Sequence, residues 1–181
     1  MGLCPYVYLD LDGVGSQWEK YVLANHFPGK TIDYVNGMDA DTRADAFAKM
    51  YRRDPRLFYN LEPYPAYRVL LSEIAKLPCK RRILTACGND HHSYEIVKYD
   101  KTRYLEEHFN VPAREVIVCR ASADKRTYAD SRSILVDDFE RNCEEWTAGG
   151  GHAIHVNACD YDPMQVIAKI KTLLDEIQSG E

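Results

Sequence analysis

Residues 6–14 read Tyr-Val-Tyr-Leu-Asp-Leu-Asp-Gly-Val, an apolar run that passes into two aspartates and a glycine. The run from Tyr6 to Leu11 is nearly continuous in apolar residues, which is typical of a strand covered on both faces of its sheet. Asp12-Gly13 then predicts a turn. Ligands of open parallel sheets bind beyond the carboxyl ends of the strands, so this stretch predicts both a fold class and a place for chemistry.

Further strands and helices alternate along the chain after this run. Apolar runs predict strands at residues 82–85, 115–119 and 133–136, and a weaker run predicts one at 153–156. Helical patterns cover residues 64–77, 90–109 and 139–148, and a last helix opens at Asp162-Pro163. Asp90 is the expected N-cap of the second of these helices, and His91-His92 is expected to face solvent. The alternation predicts an α/β fold, a Rossmann-like parallel sheet flanked by helices.

The stretch between the first two strands departs from this alternation. Helical patterns occur at residues 18–26 and 42–51, and no convincing strand accompanies them. Pro28-Gly29 and Asn36-Gly37 are turn signals. We predict a small helical cap at residues 15–61, inserted after the first strand into a core domain made of residues 1–14 and 62–181.

Composition excludes several classes of function. The 181 residues carry 23 Lys and Arg against 28 Asp and Glu, a net charge of −5, which argues against a protein that mainly holds a nucleic-acid polymer or an anionic membrane. No apolar run approaches the roughly 18 residues that a membrane span requires. Six cysteines without a C-x-x-C pair favour reduced thiols and a cytoplasmic location.

Polar residues with compatible chemistry follow four of the predicted strands. They are Asp10 and Asp12 after the first, Thr85 after the second, Lys125 a few residues after the third, and Asp137 and Asp138 after the fourth. Magnesium prefers such oxygen ligands, a carboxylate can attack phosphorus, and a second carboxyl can act as general acid and base. The set therefore predicts phosphoryl transfer that depends on Mg²⁺.

The same residues resemble the four motifs of the haloacid dehalogenase superfamily of phosphatases. Asp10-Leu11-Asp12-Gly13-Val14 is similar to the first motif, and Thr85 at the end of Ile83-Leu84-Thr85 is similar to the second. Lys125 resembles the third and Asp137-Asp138 the fourth. D-x-D-G alone also occurs in calcium loops, but four motifs in order, each after an apolar strand, are specific.

Within that superfamily the chain most resembles the 5′(3′)-deoxyribonucleotidases. Residues 57–65, Leu-Phe-Tyr-Asn-Leu-Glu-Pro-Tyr-Pro, are similar to the family's F-F-x-x-L-x-P-x-P/G stretch. Residues 99–105 resemble its E-K-x-x-W-V segment, and residues 134–138 resemble its L-I-D-D. The resemblance runs from Tyr6 to Cys159 and is weakest in the cap.

This resemblance implies a role for each matched position. Asp10 would be the nucleophile and Asp12 the general acid/base, while Asp10, the Asp12 backbone carbonyl and Asp137 would bind Mg²⁺ with support from Asp138. Thr85 and Lys125 would bind the phosphate, with Lys101 as a rival of Lys125. Trp18 would stack on the base, and Tyr34 and Tyr51 would complete an aromatic box. Ala86 departs from the family, which usually has a hydroxyl there, and the loop around Lys125 is longer than the family's.

The leading hypothesis is a Mg²⁺-dependent phosphatase that hydrolyses nucleoside monophosphates, with deoxyribonucleotides as the expected substrates. One alternative keeps the chemistry and changes the substrate to another small phosphomonoester. Another is a catalytically silent nucleotide-binding protein, and a phosphotransferase also remains open. Trp18 is as readily a core residue as a base-stacking one. The sequence leaves a homodimer open and does not give the base or sugar preference.

Overall fold

The structure is a computed structural model, and it describes residues 4–88 and 94–180. The strands in these residues are β1 (Tyr6–Leu9), β2 (Lys80–Ala86), β3 (Val116–Cys119), β4 (Ser133–Asp137) and β5 (His152–His155). All neighbours pair in parallel, in the order β3-β2-β1-β4-β5. This confirms the predicted α/β fold with a Rossmann-like parallel sheet.

The first strand is shorter than the sequence predicts. It ends at Leu9, although the Asp10 N–H still donates to the Val136 carbonyl across 2.9 Å. Beyond that point the Leu11 carbonyl accepts hydrogen bonds from the N–H groups of Gly15 and Ser16, at 2.7 and 2.8 Å, and the chain turns away from the sheet. The two aspartates are therefore carried by a tight loop.

Helices connect the strands as the alternation predicts. Those in the described residues are α1 (Trp18–Asn25), α2 (Ile32–Asn36), α3 (Ala40–Arg53), α4 (Pro65–Ile74), α5 (Tyr94–Phe109), α6 (Glu140–Ala148) and α7 (Pro163–Ser179). The described part of the chain also contains three short 3₁₀ segments, at Leu57–Tyr59, Ala113–Glu115 and Ser122–Tyr128. The expected N-cap Asp90 and the pair His91-His92 lie outside the described residues.

Two helix starts differ from the predictions, and N-capping explains both. Helix α2 was not predicted, since five residues are too few for a periodic pattern; the Thr31 hydroxyl caps it by accepting from the Tyr34 N–H at 3.3 Å. Helix α3 begins at Ala40 instead of residue 42. There the Asp39 carboxylate accepts from the Thr42 N–H at 2.9 Å and satisfies one of the free donors of the first turn.

Side chains of β1 alternate between two apolar layers. Val7 and Leu9 point into the larger layer, which the buried faces of α4, α5 and α7 fill. Tyr8 points to the other side and packs edge-on against Trp146 of α6, with ring centroids 5.2 Å apart. Because both faces of the sheet are covered, the part of the sheet that is left open lies at the carboxyl ends of the strands.

Helices α1, α2 and α3 are inserted between β1 and α4 through two adjacent connections. Ser16 on the way out forms a bridge with Pro63 on the way back. The Gln17 N–H donates to the Glu62 carbonyl and the Tyr64 N–H donates to the Gly15 carbonyl, each at 2.9 Å. The division into a cap at residues 15–61 and a core domain stays a prediction. No helix in the described residues has the length and apolarity needed to cross a membrane.

Candidate active site

Asp10, in the loop after β1, is held by hydrogen bonds from the next residue in the chain and from a tyrosine of α4. The Leu11 N–H donates to Asp10 Oδ1 at 2.7 Å, and the buried Tyr67 hydroxyl donates to the Asp10 backbone carbonyl at 3.0 Å. Gly15 allows the Tyr67 ring to come this close, because a Cβ at Gly15 would lie 2.8 Å from that ring. Asp10 is thus fixed at the end of β1, with Oδ2 directed toward the site.

Lys125 joins two of the predicted carboxylates. It lies on the 3₁₀ segment after β3, is almost completely buried, and its Nζ is 2.9 Å from Asp10 Oδ2 and 2.7 Å from Asp137 Oδ2. The Asn142 amide on α6 donates to both oxygens of Asp137, each at 3.0 Å. The Phe139 N–H also donates to Asp137, at 2.9 Å. The buried charges are therefore paired and hydrogen-bonded, as burial requires.

Three carboxylates converge next to this lysine. Asp10, Asp137 and Asp138 each offer an oxygen, and these oxygens all lie within 4.8 Å of one another. Gly13, with φ of +77°, passes so close to Asp138 that a Cβ there would be 2.0 Å from Asp138 Oδ2. Carboxylate oxygens at this spacing fit a divalent cation with hard-ligand preference such as Mg²⁺. The Asp12 side chain is not part of this cluster.

Burial and neighbouring charge shift the pKa values of this group. Burial raises the pKa of Asp12, an effect that Lys101 opposes and Asp10 reinforces. Burial raises the pKa of Asp138 well above its usual range, and the negative charges of Asp10 and Asp137 add to this. Burial alone would lower the pKa of Lys125, but Asp10 and Asp137 outweigh it and raise that pKa. Lys125 therefore stays positively charged, and Asp12 and Asp138 keep their protons to a higher pH than an ordinary aspartate does.

A second buried lysine occupies the other side of the aspartate pair. Lys101 of α5 is fully buried, and its Nζ lies 2.5 Å from Asp12 Oδ2, 2.8 Å from Thr85 Oγ1 and 2.7 Å from the Ala86 carbonyl. The structure thus brings both lysines to the site, where the sequence treated them as rivals. Lys125 contacts Asp10, and Lys101 contacts Asp12.

A cleft of about 480 Å³ opens above these residues. Its floor includes Asp10, Asp12, Lys125 and Asp138, and its walls come from the inserted helices and from residues near the ends of β2, β3 and β4. The aromatic side chains in those walls are Trp18, Phe47, Tyr51, Phe58 and, at the α6 side, Phe139. Trp18 packs edge-on against Phe47, with ring centroids 6.1 Å apart. A volume of this size is in the range of small-molecule sites.

Two of the three aromatic residues predicted to contact a base line this cleft, and one does not. Trp18 and Tyr51 are in its wall, whereas Tyr34 lies outside it, is 49% exposed and lies under Lys30 Nζ at 4.3 Å. Tyr34 falls on the wrong face of α2. Ile32 and Asn36, one helical turn apart, are the residues of α2 that line the cleft. The structure therefore brings Trp18 and Tyr51 to the cleft and does not bring Tyr34 there.

Sequence reasoning missed the partners that hold the predicted residues in place. Asn142 is one helical turn beyond the Asp137-Asp138 pair, a position from which an amide can reach back to a strand-end carboxylate, and that spacing was a usable signal. Thr85 is where it was expected, but its side chain is fully buried and bonded to Lys101. Nothing in the local pattern of residues 99–105 indicates that contact.

Comparison with protein-family models gave no match, and comparison with curated protein sequences gave none either. Solved structures did match. A haloacid dehalogenase-like family hydrolase from Streptococcus pneumoniae has a TM-score of 0.56 and 14% identity, over 92% of this chain and 98% of that chain. An L-2-haloacid dehalogenase from Xanthobacter autotrophicus has a TM-score of 0.52 and 14% identity, over 85% and 78%.

A further match is a HAD-family hydrolase from Deinococcus radiodurans R1 whose structure contains phosphate and sodium. It has a TM-score of 0.50 and 12% identity, over 97% of this chain and 96% of that chain. At such identities the likeness concerns the fold, and the resemblance to deoxyribonucleotidases stays a prediction. With its strand order, its inserted helices and carboxylates at the strand ends, this chain has the fold of the haloacid dehalogenase-like hydrolases.

Proposed function

We propose that the protein is a Mg²⁺-dependent phosphatase that hydrolyses nucleoside monophosphates, deoxyribonucleotides among them, through an aspartyl-phosphate on Asp10. The observation that carries the proposal is that Asp10 contacts Lys125 and forms a cluster with Asp137 and Asp138, and that Asp10, Lys125 and Asp138 line the cleft. A nucleophile beside a buried cation and a cluster that fits a divalent cation is suited to attack on a phosphoryl group.

The proposed reaction has two steps carried by the aspartate pair. Asp10 Oδ2 attacks phosphorus as the bond from phosphorus to the leaving oxygen breaks, and Asp12 gives that oxygen a proton. Asp12 then takes a proton from water, the water oxygen attacks phosphorus, and the Asp10–phosphorus bond breaks to release phosphate. The acid form of Asp12 carries its proton on Oδ1, because Oδ2 accepts from Lys101.

The other residues neutralise and orient the group that is transferred. Lys125 offers positive charge beside Asp10, and Thr85 and Lys125 bind phosphate oxygens in the proposed complex. Asp10, Asp137 and Asp138 would hold Mg²⁺, with the Asp12 backbone carbonyl as a further ligand. Bound Mg²⁺ would supply additional positive charge for the phosphoryl oxygens.

Displacement of a halide from carbon is a different reaction on the same fold, as the dehalogenase from Xanthobacter autotrophicus shows. A halide leaves as a stable anion and needs no proton, so such a reaction requires neither a second carboxyl acid nor a cation cluster. This chain has both Asp12 next to the nucleophile and three convergent carboxylates. These features favour phosphate esters as substrates.

The shape of the cleft supports a nucleoside part on the substrate. Trp18, Tyr51 and Phe58 present aromatic surface above the aspartates, and stacking on such surface suits a nucleobase. The cleft is large enough for a sugar and a base beyond the phosphate. The cytoplasmic location and the open question of a homodimer stay predictions.

The test is phosphate release from a panel of ribo- and deoxyribonucleoside monophosphates and simple phosphomonoesters, with Mg²⁺ and after chelation with EDTA. We expect release from deoxynucleotides above all and a loss of about 100-fold or more on chelation, because the cluster of carboxylates then repels the phosphate. Release from simple esters alone would keep the chemistry and reject the nucleotide. Halide release from 2-chloropropionate without phosphate release would overturn the proposal.

Replacement of Trp18, an aromatic residue of the cleft wall, tests whether this side chain contributes to binding of the base and not to the chemical step. We expect Trp18→Ala to raise KM for a nucleotide about 10-fold, since a stacked base contributes roughly 1–3 kcal/mol, and to leave kcat within about threefold. Tyr34→Ala is the matched control, because Tyr34 lies outside the cleft. Steady-state kinetics on a deoxynucleotide and on p-nitrophenyl phosphate measure both. Equal KM changes for the two variants would argue against base stacking on Trp18.

A further inference from the structure

Lys101 is a buried cation at the centre of a set of fixed contacts. Its side chain is fully buried on α5, and its Nζ lies 4.3 Å from the centroid of the Phe58 ring. An ammonium group has three N–H donors and no acceptor. Lys101 finds three acceptors, namely Asp12 Oδ2 at 2.5 Å, Thr85 Oγ1 at 2.8 Å and the Ala86 carbonyl at 2.7 Å. Its hydrogen-bonding capacity is therefore used by the protein itself.

The other lysine of the site differs in this respect. Lys125 Nζ has two acceptors among the described residues, Asp10 Oδ2 and Asp137 Oδ2. It retains one N–H for a phosphate oxygen, and it lines the cleft. Lys101 is absent from the lining of the cleft, and binding a phosphate oxygen would cost it one of its three contacts. This count of donors leaves an N–H for phosphate on Lys125 and none on Lys101.

The contacts of Lys101 fix the second aspartate. Asp12 Oδ2 is held by Lys101, and Oδ1 lies 3.2 Å from the Ser16 hydroxyl. Both oxygens are thus held, and the carboxyl plane cannot turn without breaking a contact in a partly buried place. A proton donor is efficient only when it stays within hydrogen-bond reach of the leaving oxygen.

The same ammonium sets the direction of the Thr85 hydroxyl. Because Oγ1 accepts from Lys101, the hydroxyl hydrogen is free to point elsewhere and to donate. Thr85 is itself fully buried, so this contact also fixes its side chain at the end of β2. Lys101 thus contacts both Asp12 and Thr85, and of these two residues only Asp12 lines the cleft.

We propose that Lys101 is a positioning residue: it holds Asp12 in its working orientation and does not itself bind phosphate. This inference rests on the proposed phosphatase function. Its consequence is a selective defect. Loss of Lys101 impairs the proton transfer from Asp12, which matters for a leaving alkoxide of high basicity and hardly at all for a weakly basic phenolate.

The experiment compares kcat/KM of the wild type and Lys101→Met on two esters, a deoxynucleoside 5′-monophosphate and p-nitrophenyl phosphate. This ratio reports the steps up to transfer onto Asp10. We expect a loss of about 100-fold or more on the nucleotide and of less than about 10-fold on the aryl ester. The aryl ester should also give a burst of about one nitrophenol per enzyme, since the later attack of water still needs Asp12.

Two further variants keep the test independent of folding defects. Lys101→Arg retains the positive charge, but a planar guanidinium cannot place three convergent donors on these acceptors, so we expect the same selective loss in weaker form. Lys101→Met combined with Asp12→Asn should be no slower on the nucleotide than Asp12→Asn alone, because the lysine acts through that carboxyl. Circular dichroism and thermal unfolding check each variant.

The outcomes separate this role from the proposed function. Equal losses on both esters, in Lys101→Met and in Lys101→Arg, would overturn the positioning role and indicate a phosphate ligand or a structural lysine. Multiplicative losses in the double variant would also overturn it. A wild-type protein that hydrolyses neither ester would contradict the proposed function and with it this inference.

Discussion

Asp10→Asn should reduce phosphate release by about 10⁵-fold or more, the largest effect that we expect from any single substitution in this chain. The amide has nearly the shape of the carboxylate, but its nitrogen and its weakly nucleophilic oxygen cannot form the aspartyl-phosphate. The Leu11 N–H can still donate to the remaining oxygen, as it does to Asp10 Oδ1. The expected defect is therefore chemical and not a loss of fold.

The measurement is phosphate release under saturating substrate, together with acid quenching after exposure to a ³²P-labelled ester. Wild-type protein should retain label on the polypeptide, and Asp10→Asn should retain none. Thermal unfolding of both proteins serves as the control for folding. Activity of Asp10→Asn within about tenfold of the wild type would remove Asp10 from the role of nucleophile.

Gly13→Ala should raise the Mg²⁺ concentration for half-maximal activity by about 10- to 100-fold. The new Cβ would lie 2.0 Å from Asp138 Oδ2, so the Asp138 carboxylate has to move away from Asp10 and Asp137. A cation cluster that loses the position of one carboxylate binds a small divalent cation with strict geometry less well. Gly13 also has φ of +77°, and alanine there costs about 1 kcal/mol or more of stability.

Gly29→Ala is the matched control for that backbone cost. Gly29 has φ of +75°, close to that of Gly13, but a Cβ there would meet no atom of the described residues within 4 Å. We expect both variants to lose the thermal stability that a positive φ costs an alanine, and only Gly13→Ala to shift the Mg²⁺ requirement. Titration of activity with Mg²⁺ and the Mg²⁺-induced rise in Tm report the difference. A shared Mg²⁺ shift would attribute the effect to stability.

Residues at the ends of strands were predictable because one local pattern marks each of them. An apolar run that is followed by Asp10 and Asp12, or by Asp137 and Asp138, predicts a strand and also the polar side chains at its end. The parallel topology then brings these ends to one edge. Lys125 follows β3 at a distance of a few residues, and its place in the order of motifs was enough to select it.

Contacts that depend on the facing of a helix were not predictable in this way. Lys101 of α5 contacts Asp12 after β1 and Thr85 and Ala86 at the end of β2, whereas the sequence offered Lys101 only as a rival of Lys125 for the phosphate. Tyr34 was misplaced because α2 has five residues, too few to show which face turns inward. The shape of the cleft likewise depends on how α1, α2 and α3 pack against the rest of the chain, and a local sequence pattern does not show such tertiary packing.

The inserted helices leave and rejoin the sheet domain through segments that hydrogen-bond to each other, at Gln17 with Glu62 and at Gly15 with Tyr64. A chain built in this way can exchange or lengthen the inserted stretch without rethreading any strand. Residues of the inserted stretch that line the cleft can therefore change in evolution while the aspartates and lysines beneath them stay unchanged. In the proposed phosphatase, the paired connections would allow substitutions that change the substrate to arise apart from those that change the chemistry.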